Sequence, residues 1–143
     1  MPSTFSRRQR RISVALWIVQ GLLAALFLFA GGMKLVMPIA ALTAQTPLPG
    51  SFIRVIGVLE VLGALGLVLP ALLRLHASLT PLAAAGLVIV MAGAVGATLV
   101  TGPAATALVP VAVGIILAVV VYGRWWLAAL PASGRQTVLR RAA

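Results

Sequence analysis

One uncharged run limits the fold of this chain more than any other feature. Residues 77–123 are 47 consecutive positions without a charged side chain. As a single helix this run would be roughly 70 Å long at about 1.5 Å per residue, more than twice the hydrocarbon thickness of a bilayer. It has to turn back on itself, and Thr101-Gly102-Pro103 is the segment best suited to a turn. The run therefore predicts two membrane-spanning helices, over residues 79–99 and 108–126.

Two further segments are long enough to cross a membrane. Residues 12–33 carry no charge, and residues 52–73 carry two charges and a proline near the end. Residues 38–50, which lie between them, contain three prolines and predict a loop. The predicted helices cover about residues 12–34 and 52–73. Because the apolar runs are continuous, without the alternation of a barrel strand, we predict an all-α fold: a four-helix transmembrane bundle forming a single domain over residues 1–143.

The composition excludes the other broad classes. The chain is 62% hydrophobic and only 8% charged, with a mean hydropathy of +1.18. Soluble domains are about 25% charged, and disordered chains are poor in hydrophobic residues. The sequence contains no cysteine, which excludes disulfides, thiol redox chemistry and cysteine metal sites.

The basic residues cluster at the two ends of the chain. A net charge of +10 could indicate nucleic-acid binding, but no basic stripe with interleaved aromatic residues is present, so we expect none. Placing both termini in the cytoplasm puts nine basic residues there and leaves only Lys34 and Arg54 outside. The positive-inside rule then predicts a multi-pass protein of the cell inner (plasma) membrane with both termini cytoplasmic, N-in and C-in. The nine are Arg7, Arg8, Arg10, Arg11, Arg74, Arg124, Arg135, Arg140 and Arg141.

Glu60 is the only acidic residue, and it lies inside the second predicted span. A carboxylate facing lipid costs about 2.5 kcal/mol or more, so Glu60 is expected to face the bundle interior. Gly57 and Ala64 share its helical face and would let a neighbouring helix approach closely. Lys34 and Arg54 are the candidate partners, and Lys34 is preferred because Arg54 is six residues away on the same helix. Two interpretations stay open: a buried group that handles protons or a polar ligand headgroup, and a structural ion pair.

The remaining polar and aromatic residues give weaker signals. His76 is interpreted as a solvated turn residue, since a single histidine cannot form a bis-histidine site. Trp17, Tyr122, Trp125 and Trp126 are typical of an interfacial aromatic belt. No spacing of metal ligands, phosphate-binding loop or catalytic triad is present, so no metal site is predicted.

Two further features concern contacts between helices. The pairs Gly93/Ala97 and Ala92/Gly96 in the third span predict close helix packing, either within the chain or between chains. Gln20 in the first span is placed to hydrogen-bond across to a neighbouring helix.

Three segments resemble the DoxX-like family of small four-helix membrane proteins. They are residues 30–35 (AGGMKL), residues 54–70 with Gly-x-x-Glu followed by Gly-Ala-x-Gly-Leu-x-x-Pro, and more weakly residues 91–95. The resemblance covers about residues 14–125, and Lys34, Arg54 and Glu60 match its polar positions. It implies the four-helix fold and an association with quinone-linked redox chemistry. Many relatives carry a histidine late in the third helix, where this chain has Thr98, which weakens the redox interpretation.

Three functions follow as hypotheses, and whether the chain is an enzyme stays open. The first is a redox accessory subunit that binds quinone or another lipid-soluble ligand between helices, with Glu60 and Lys34 holding its polar end; it predicts a pocket that reaches Glu60. The second is a non-catalytic scaffold or assembly subunit, with a membrane-protein partner or a second copy of the chain. The third, a small transporter or channel, has the least support, because the third and fourth spans offer few polar groups.

Overall fold

A computed structural model describes residues 4–44, 46–73 and 78–129, and all regular structure in these ranges is helical. Four helices are long and apolar enough to cross a membrane, which confirms the predicted all-helical four-span fold. The membrane-spanning parts cover Gln9–Val36, Gly50–Pro70, Leu79–Thr101 and Ala104–Trp126. The elements are α1 (Thr4–Val36), α2 (Ile39–Thr43), α3 (Gly50–Leu72), α4 (Leu79–Thr101), a 3₁₀ turn (Ala104–Ala107) and α5 (Leu108–Ala129).

The helix boundaries differ from the predicted ones mainly at the start of α1. This helix begins at Thr4 and has 33 residues, whereas charge placement predicted a start near residue 12. Arginine is a good helix former, so the first charges mark the edge of the hydrocarbon and not the end of the helix. At about 1.5 Å per residue α1 is roughly 50 Å long and extends well beyond a 30 Å hydrocarbon core.

The predicted loop over residues 38–50 contains the short helix α2. Pro38 immediately precedes α2, and Pro49 immediately precedes α3. The fixed φ of proline suits the entry to a helix, where its missing N–H costs no hydrogen bond. The turn predicted at Thr101-Gly102-Pro103 is present, since α4 ends at Thr101 and Pro103 precedes the 3₁₀ turn.

The four long helices pack in an up-and-down arrangement. α1 packs against α3, α3 against α4 and α4 against α5, while α1 and α5 touch less extensively. Gly31 of α1 lies against Gly57 of α3, whereas Gln20 of α1 contacts Leu67, so the two helices are antiparallel. Leu16 near the start of α1 lies beside Gly123 near the end of α5.

These contacts define two ends of the bundle. We call the end with Leu16 and Gly123 the terminal end and the end with Lys34 and Glu60 the loop end. Which end faces the cytoplasm stays a prediction; of the residues it depends on, Arg74, Arg135, Arg140 and Arg141 lie outside the described residues, as does His76.

The core of the bundle is mostly apolar, and its buried polar residues among those described are Gln20, Glu60 and Thr80. α3 contributes a buried stripe that runs through Ile53, Gly57, Glu60, Ala64 and Leu67, at helical spacing. The stripe places a single acidic residue among small and aliphatic neighbours. Among the described residues, the largest fully buried side chains are Leu67, Leu87, Leu117, Gln20 and Val120.

Candidate functional site

Glu60 faces the interior of the bundle and not the lipid. Its side chain is only 4% exposed, on the inner stripe of α3. A carboxylate in such surroundings needs a counter-charge and hydrogen-bond donors, because desolvating a lone charge is costly.

Lys34 supplies both the counter-charge and the hydrogen-bond donors for Glu60. Its Nζ donates to Glu60 Oε2 at 2.6 Å and to Oε1 at 2.8 Å, so one ammonium group serves both carboxylate oxygens. The Lys34 side chain is 29% exposed, in contrast to its partner. An ammonium group has three N–H donors, and two of them serve Glu60. The third has no acceptor among the described residues and is available on the exposed side of Lys34.

A glycine contact between α1 and α3 brings the two charges together. A Cβ atom built on Gly31 would lie 2.7 Å from the carbonyl oxygen of Gly57 and 3.0 Å from Glu60 Cβ. A Cβ on Gly57 would lie 3.0 Å from Lys34 Cβ. Real Cβ atoms do not approach a backbone oxygen this closely, so only glycine permits this separation of the helices. The small residues around Glu60 thus set the distance that Lys34 has to span.

Arg54, the third predicted site residue, has a different position. Its Nη2 donates to the carbonyl oxygen of Met37 at 3.0 Å, and its Nη1 donates to the carbonyl oxygen of Leu35. These carbonyls lie at the C-terminal end of α1, where backbone acceptors lack helical partners and a positive charge is favourable. Arg54 therefore holds the end of α1 beside α3, and the structure does not place it in the ion pair.

A second polar cluster lies at the terminal end, about 21 Å from Lys34 along α1 at about 1.5 Å per residue. Gln20 is fully buried, and its Nε2 donates to the carbonyl oxygen of Leu67 at 2.9 Å. Arg124 of α5 donates from Nε to Gln20 Oε1 at 2.7 Å and also from Nη2 to the same oxygen. The Arg124 Cζ lies 5.3 Å from the centre of the Trp17 ring, within the range of a cation–π contact. We call Gln20, Arg124 and Trp17 the terminal cluster.

Pro70 lies beside the terminal cluster. It is inside α3 and has no N–H, so the carbonyl oxygen four residues earlier, that of Gly66, loses its helical donor. Gln20 donates to the carbonyl oxygen of the next residue, Leu67. The amide of Gln20 thus joins α1 to the backbone of α3 in the turn that precedes the proline.

Sequence reasoning only partly anticipated the terminal cluster. It predicted that Gln20 bonds across to another helix, and this is confirmed by its contacts with Leu67 and Arg124. It placed Arg124 among the cytoplasmic basic residues and Trp17 in the interfacial aromatic belt, and it connected neither to Gln20. The available signal was that Gln20 and Arg124 are polar residues within predicted spans that approach the same end of the bundle. Their pairing depends on the rotation of α5, which the sequence pattern does not give.

Neither of two open surface depressions in the described part of the chain includes Lys34 or Glu60, so neither is the pocket predicted to reach Glu60. The larger, of about 620 Å³, lies against α1 and involves Arg10, Arg11, Val14, Ala15 and Ile18. The smaller, of about 400 Å³, lies near the loop end and involves Thr43, Ala44, Thr46, Pro47, Val100 and Thr101. The exposed side of Lys34 is the accessible part of the ion pair.

Three glycines of α4 have open space around them. Neither Gly86, Gly93 nor Gly96 has an atom within 4 Å of a Cβ built on it, and all three are exposed. The predicted small-residue pairs of this helix involve Gly93 and Gly96, so their glycines do not form a close contact within the described chain. Thr98 donates to the carbonyl oxygen of Ala94 at 2.5 Å, which satisfies its hydroxyl inside α4.

Comparisons with known proteins agree with the predicted resemblance. The model of the DoxX-like family matches residues 18–121, which include Lys34, Glu60, Gln20 and the four-helix core. No curated protein and no solved structure matches the chain.

Proposed function

The chain belongs to the DoxX-like family, and on this premise we propose that it is a membrane-embedded, redox-associated accessory subunit. It binds a quinone or a similar lipid-soluble ligand between helices at the loop end. Lys34 donates a hydrogen bond to the polar end of that ligand, and Glu60 fixes the ammonium group in place.

The difference in exposure between Lys34 and Glu60 supports this proposal most directly. Glu60 is buried, and both of its carboxylate oxygens accept a hydrogen bond from Lys34. Lys34 is partly exposed and has one N–H donor that Glu60 does not use. A carbonyl oxygen of a quinone is an acceptor of the kind that this donor can bind. A ligand of this kind is dissolved in the lipid and would reach Lys34 laterally, without an aqueous channel.

Binding of a short-chain quinone to the purified protein in lipid nanodiscs tests this function. Lys34→Met is expected to weaken binding about tenfold, the loss of one charge-assisted hydrogen bond of about 1.4 kcal/mol. Glu60→Gln is expected to weaken binding less, because Lys34 keeps its donors and loses only the carboxylate that fixes them. The control is Gln20→Leu, which alters the terminal cluster and is expected to leave quinone affinity unchanged. Wild-type affinity in Glu60→Gln and Lys34→Met would exclude the ion pair as the ligand site.

A second candidate, a scaffold or assembly subunit, is favoured by the unfilled surface of α4. One exposed face of this helix combines three glycines with three larger residues: Leu82, Gly86, Ile89, Gly93, Gly96 and Val100. Such a face lets another helix approach closely in a membrane.

Replacing Gly93 with leucine tests this alternative. Leucine at 93 would hold a partner helix away, so Gly93→Leu is expected to lose a co-purifying partner or a dimer in mild detergent. Gly21→Leu is the matched control, since Gly21 on α1 also has open space around it. A wild-type protein that purifies as a monomer with no partner would count against the scaffold function.

A further inference from the structure

Arg124 is a half-buried cation at the terminal end of the bundle that no carboxylate side chain of its own chain neutralises. Glu60 is the only acidic residue in the sequence, and Lys34 binds it at the loop end. The acceptor that Arg124 has is the amide oxygen of Gln20, which is neutral. A half-buried guanidinium beside a neutral oxygen lacks a counter-charge, and an arginine in a membrane span is costly without one.

The guanidinium is held in place and still has donors to offer. Of its five N–H groups, two point to Gln20 Oε1, which leaves three without an acceptor among the described residues. Gln20 is fixed in turn by its bond to Leu67, and the Trp17 ring covers one face of the guanidinium. The remaining donors form the planar fork that matches the oxygens of a carboxylate or a phosphate.

The position of Arg124 favours phosphate. It lies two residues before the end of the span Ala104–Trp126, next to Trp125 and close in sequence to Tyr122, both of which are exposed. Aromatic residues of this kind mark the headgroup level of the bilayer, where phospholipid phosphates lie. Arg10 and Arg11, toward the same end of α1, add to the positive potential that attracts anionic lipids.

We propose that Arg124, held by Gln20 and Trp17, binds the phosphodiester group of an anionic phospholipid at the terminal end. The contact between α1 and α5 is the least extensive of those between neighbouring long helices. The lipid phosphate meets the free side of the guanidinium there, and the acyl chains follow the apolar surface beside it. This site is separate from the ion pair and does not depend on the proposed quinone function.

Lipid titration of the full-length, delipidated protein, followed by native mass spectrometry, tests the site. The probes are phosphatidylglycerol, which has a net negative charge, and phosphatidylcholine, which does not. Arg124→Gln is expected to weaken phosphatidylglycerol binding about tenfold, equivalent to about 1.4 kcal/mol. Arg11→Gln is the matched control: it removes the same charge from the same end, lies outside the terminal cluster, and is expected to change binding less than twofold.

Two more variants keep the test decisive if Arg124→Gln does not fold. Arg124→Lys keeps the charge but loses the fork, so intermediate affinity is expected. Gln20→Glu places a carboxylate beside Arg124 and is expected to weaken lipid binding as much as Arg124→Gln, although the arginine is still present.

Several results would overturn the proposal. Wild-type lipid affinity in Arg124→Gln, or in both Arg124→Lys and Gln20→Glu, would show that the guanidinium does not bind the phosphate. An equal loss in Arg11→Gln would show diffuse attraction instead of a site. Displacement of the lipid by millimolar inorganic phosphate would identify a free anion as the ligand. Loss of a protein partner in Arg124→Gln, with lipid binding unchanged, would place a protein carboxylate on Arg124.

Discussion

The two ends of this bundle hold a basic side chain in different ways. At the loop end, Lys34 meets a carboxylate that is almost fully buried, and the pair is neutral within the chain. At the terminal end, Arg124 meets an amide, and its charge is left uncompensated by any side chain of the protein. At the loop end a carboxylate of the same chain neutralises the cation. At the terminal end the proposed counter-charge is the phosphate of a lipid.

The difference also concerns how closely the helices approach. At the loop end, glycines on α1 and α3 bring two backbones into contact, and the ion pair is built on that contact. At the terminal end, the long side chains of Gln20 and Arg124 bridge between helices. The loop end is therefore expected to be sensitive to both charge and volume, and the terminal end mainly to hydrogen bonding.

The largest effect is expected for Lys34→Met. This change leaves the Glu60 carboxylate buried without its counter-charge, and the free energy of unfolding should fall by about 3 kcal/mol. That is the low end of the range for a broken buried pair, because the Lys34 side chain is 29% exposed. Reversible unfolding in mixed detergent micelles measures it.

The double variant Lys34→Met/Glu60→Leu is the control for this prediction. It removes both charges and should recover most of the lost stability, since an apolar pair of similar volume is often as stable as an ion pair. A double variant as unstable as Lys34→Met alone would show that the loss came from packing.

A smaller effect is expected for Gly31→Ala. The added methyl group would lie 2.7 Å from the carbonyl oxygen of Gly57, so α1 and α3 have to separate, at a cost of about 2 kcal/mol. Gly32→Ala is the control one residue away, because nothing lies within 4 Å of a Cβ at Gly32. The same unfolding measurement compares the two, and equal stability would contradict the close approach of the helices.

The smallest effect is expected for Gln20→Leu at the terminal end. The leucine fills a similar volume but removes the donor to Leu67 and the acceptor for Arg124, which should cost about 1 kcal/mol. Gln9→Leu makes the same change at an exposed position of α1 and is expected to be neutral. If Gln20→Leu lowered the free energy of unfolding more than Lys34→Met does, the prediction that the loop end contributes more stability would be wrong.

The sequence contains enough information for the four spans and for the location of Glu60. A 47-residue uncharged run in a bilayer has to form two spans. Glu60 is the one acidic residue, and few basic residues lie near its depth in the membrane, so few ion-pair partners are available to it. The start of α1 was predicted eight residues late, because charge marks the membrane boundary and helix propensity marks the helix.

Other features depend on the rotation of each helix about its axis. Whether Gly93 meets a helix of the same chain, and whether Arg124 turns toward Gln20, changes with a rotation that an almost uniformly apolar sequence does not specify. α4 and α5 have little polar contrast between their faces, so no hydrophobic pattern indicates which face is inside. Gln20 and Glu60 were easier to interpret, because a polar side chain in a span has to face protein.

The order of the helices in the bundle has a consequence for how the chain assembles. α1 packs on α3, α3 on α4 and α4 on α5, so each long helix can dock on the one synthesised just before it. The bond between Gln20 and Arg124 joins residues 104 positions apart and cannot form until α5 has been made. Contacts between neighbours in sequence close short loops, whereas this one closes a loop of 104 residues, the larger part of the chain. The contact between α1 and α5 is therefore expected to form late in folding, after the contacts between helices that are adjacent in sequence.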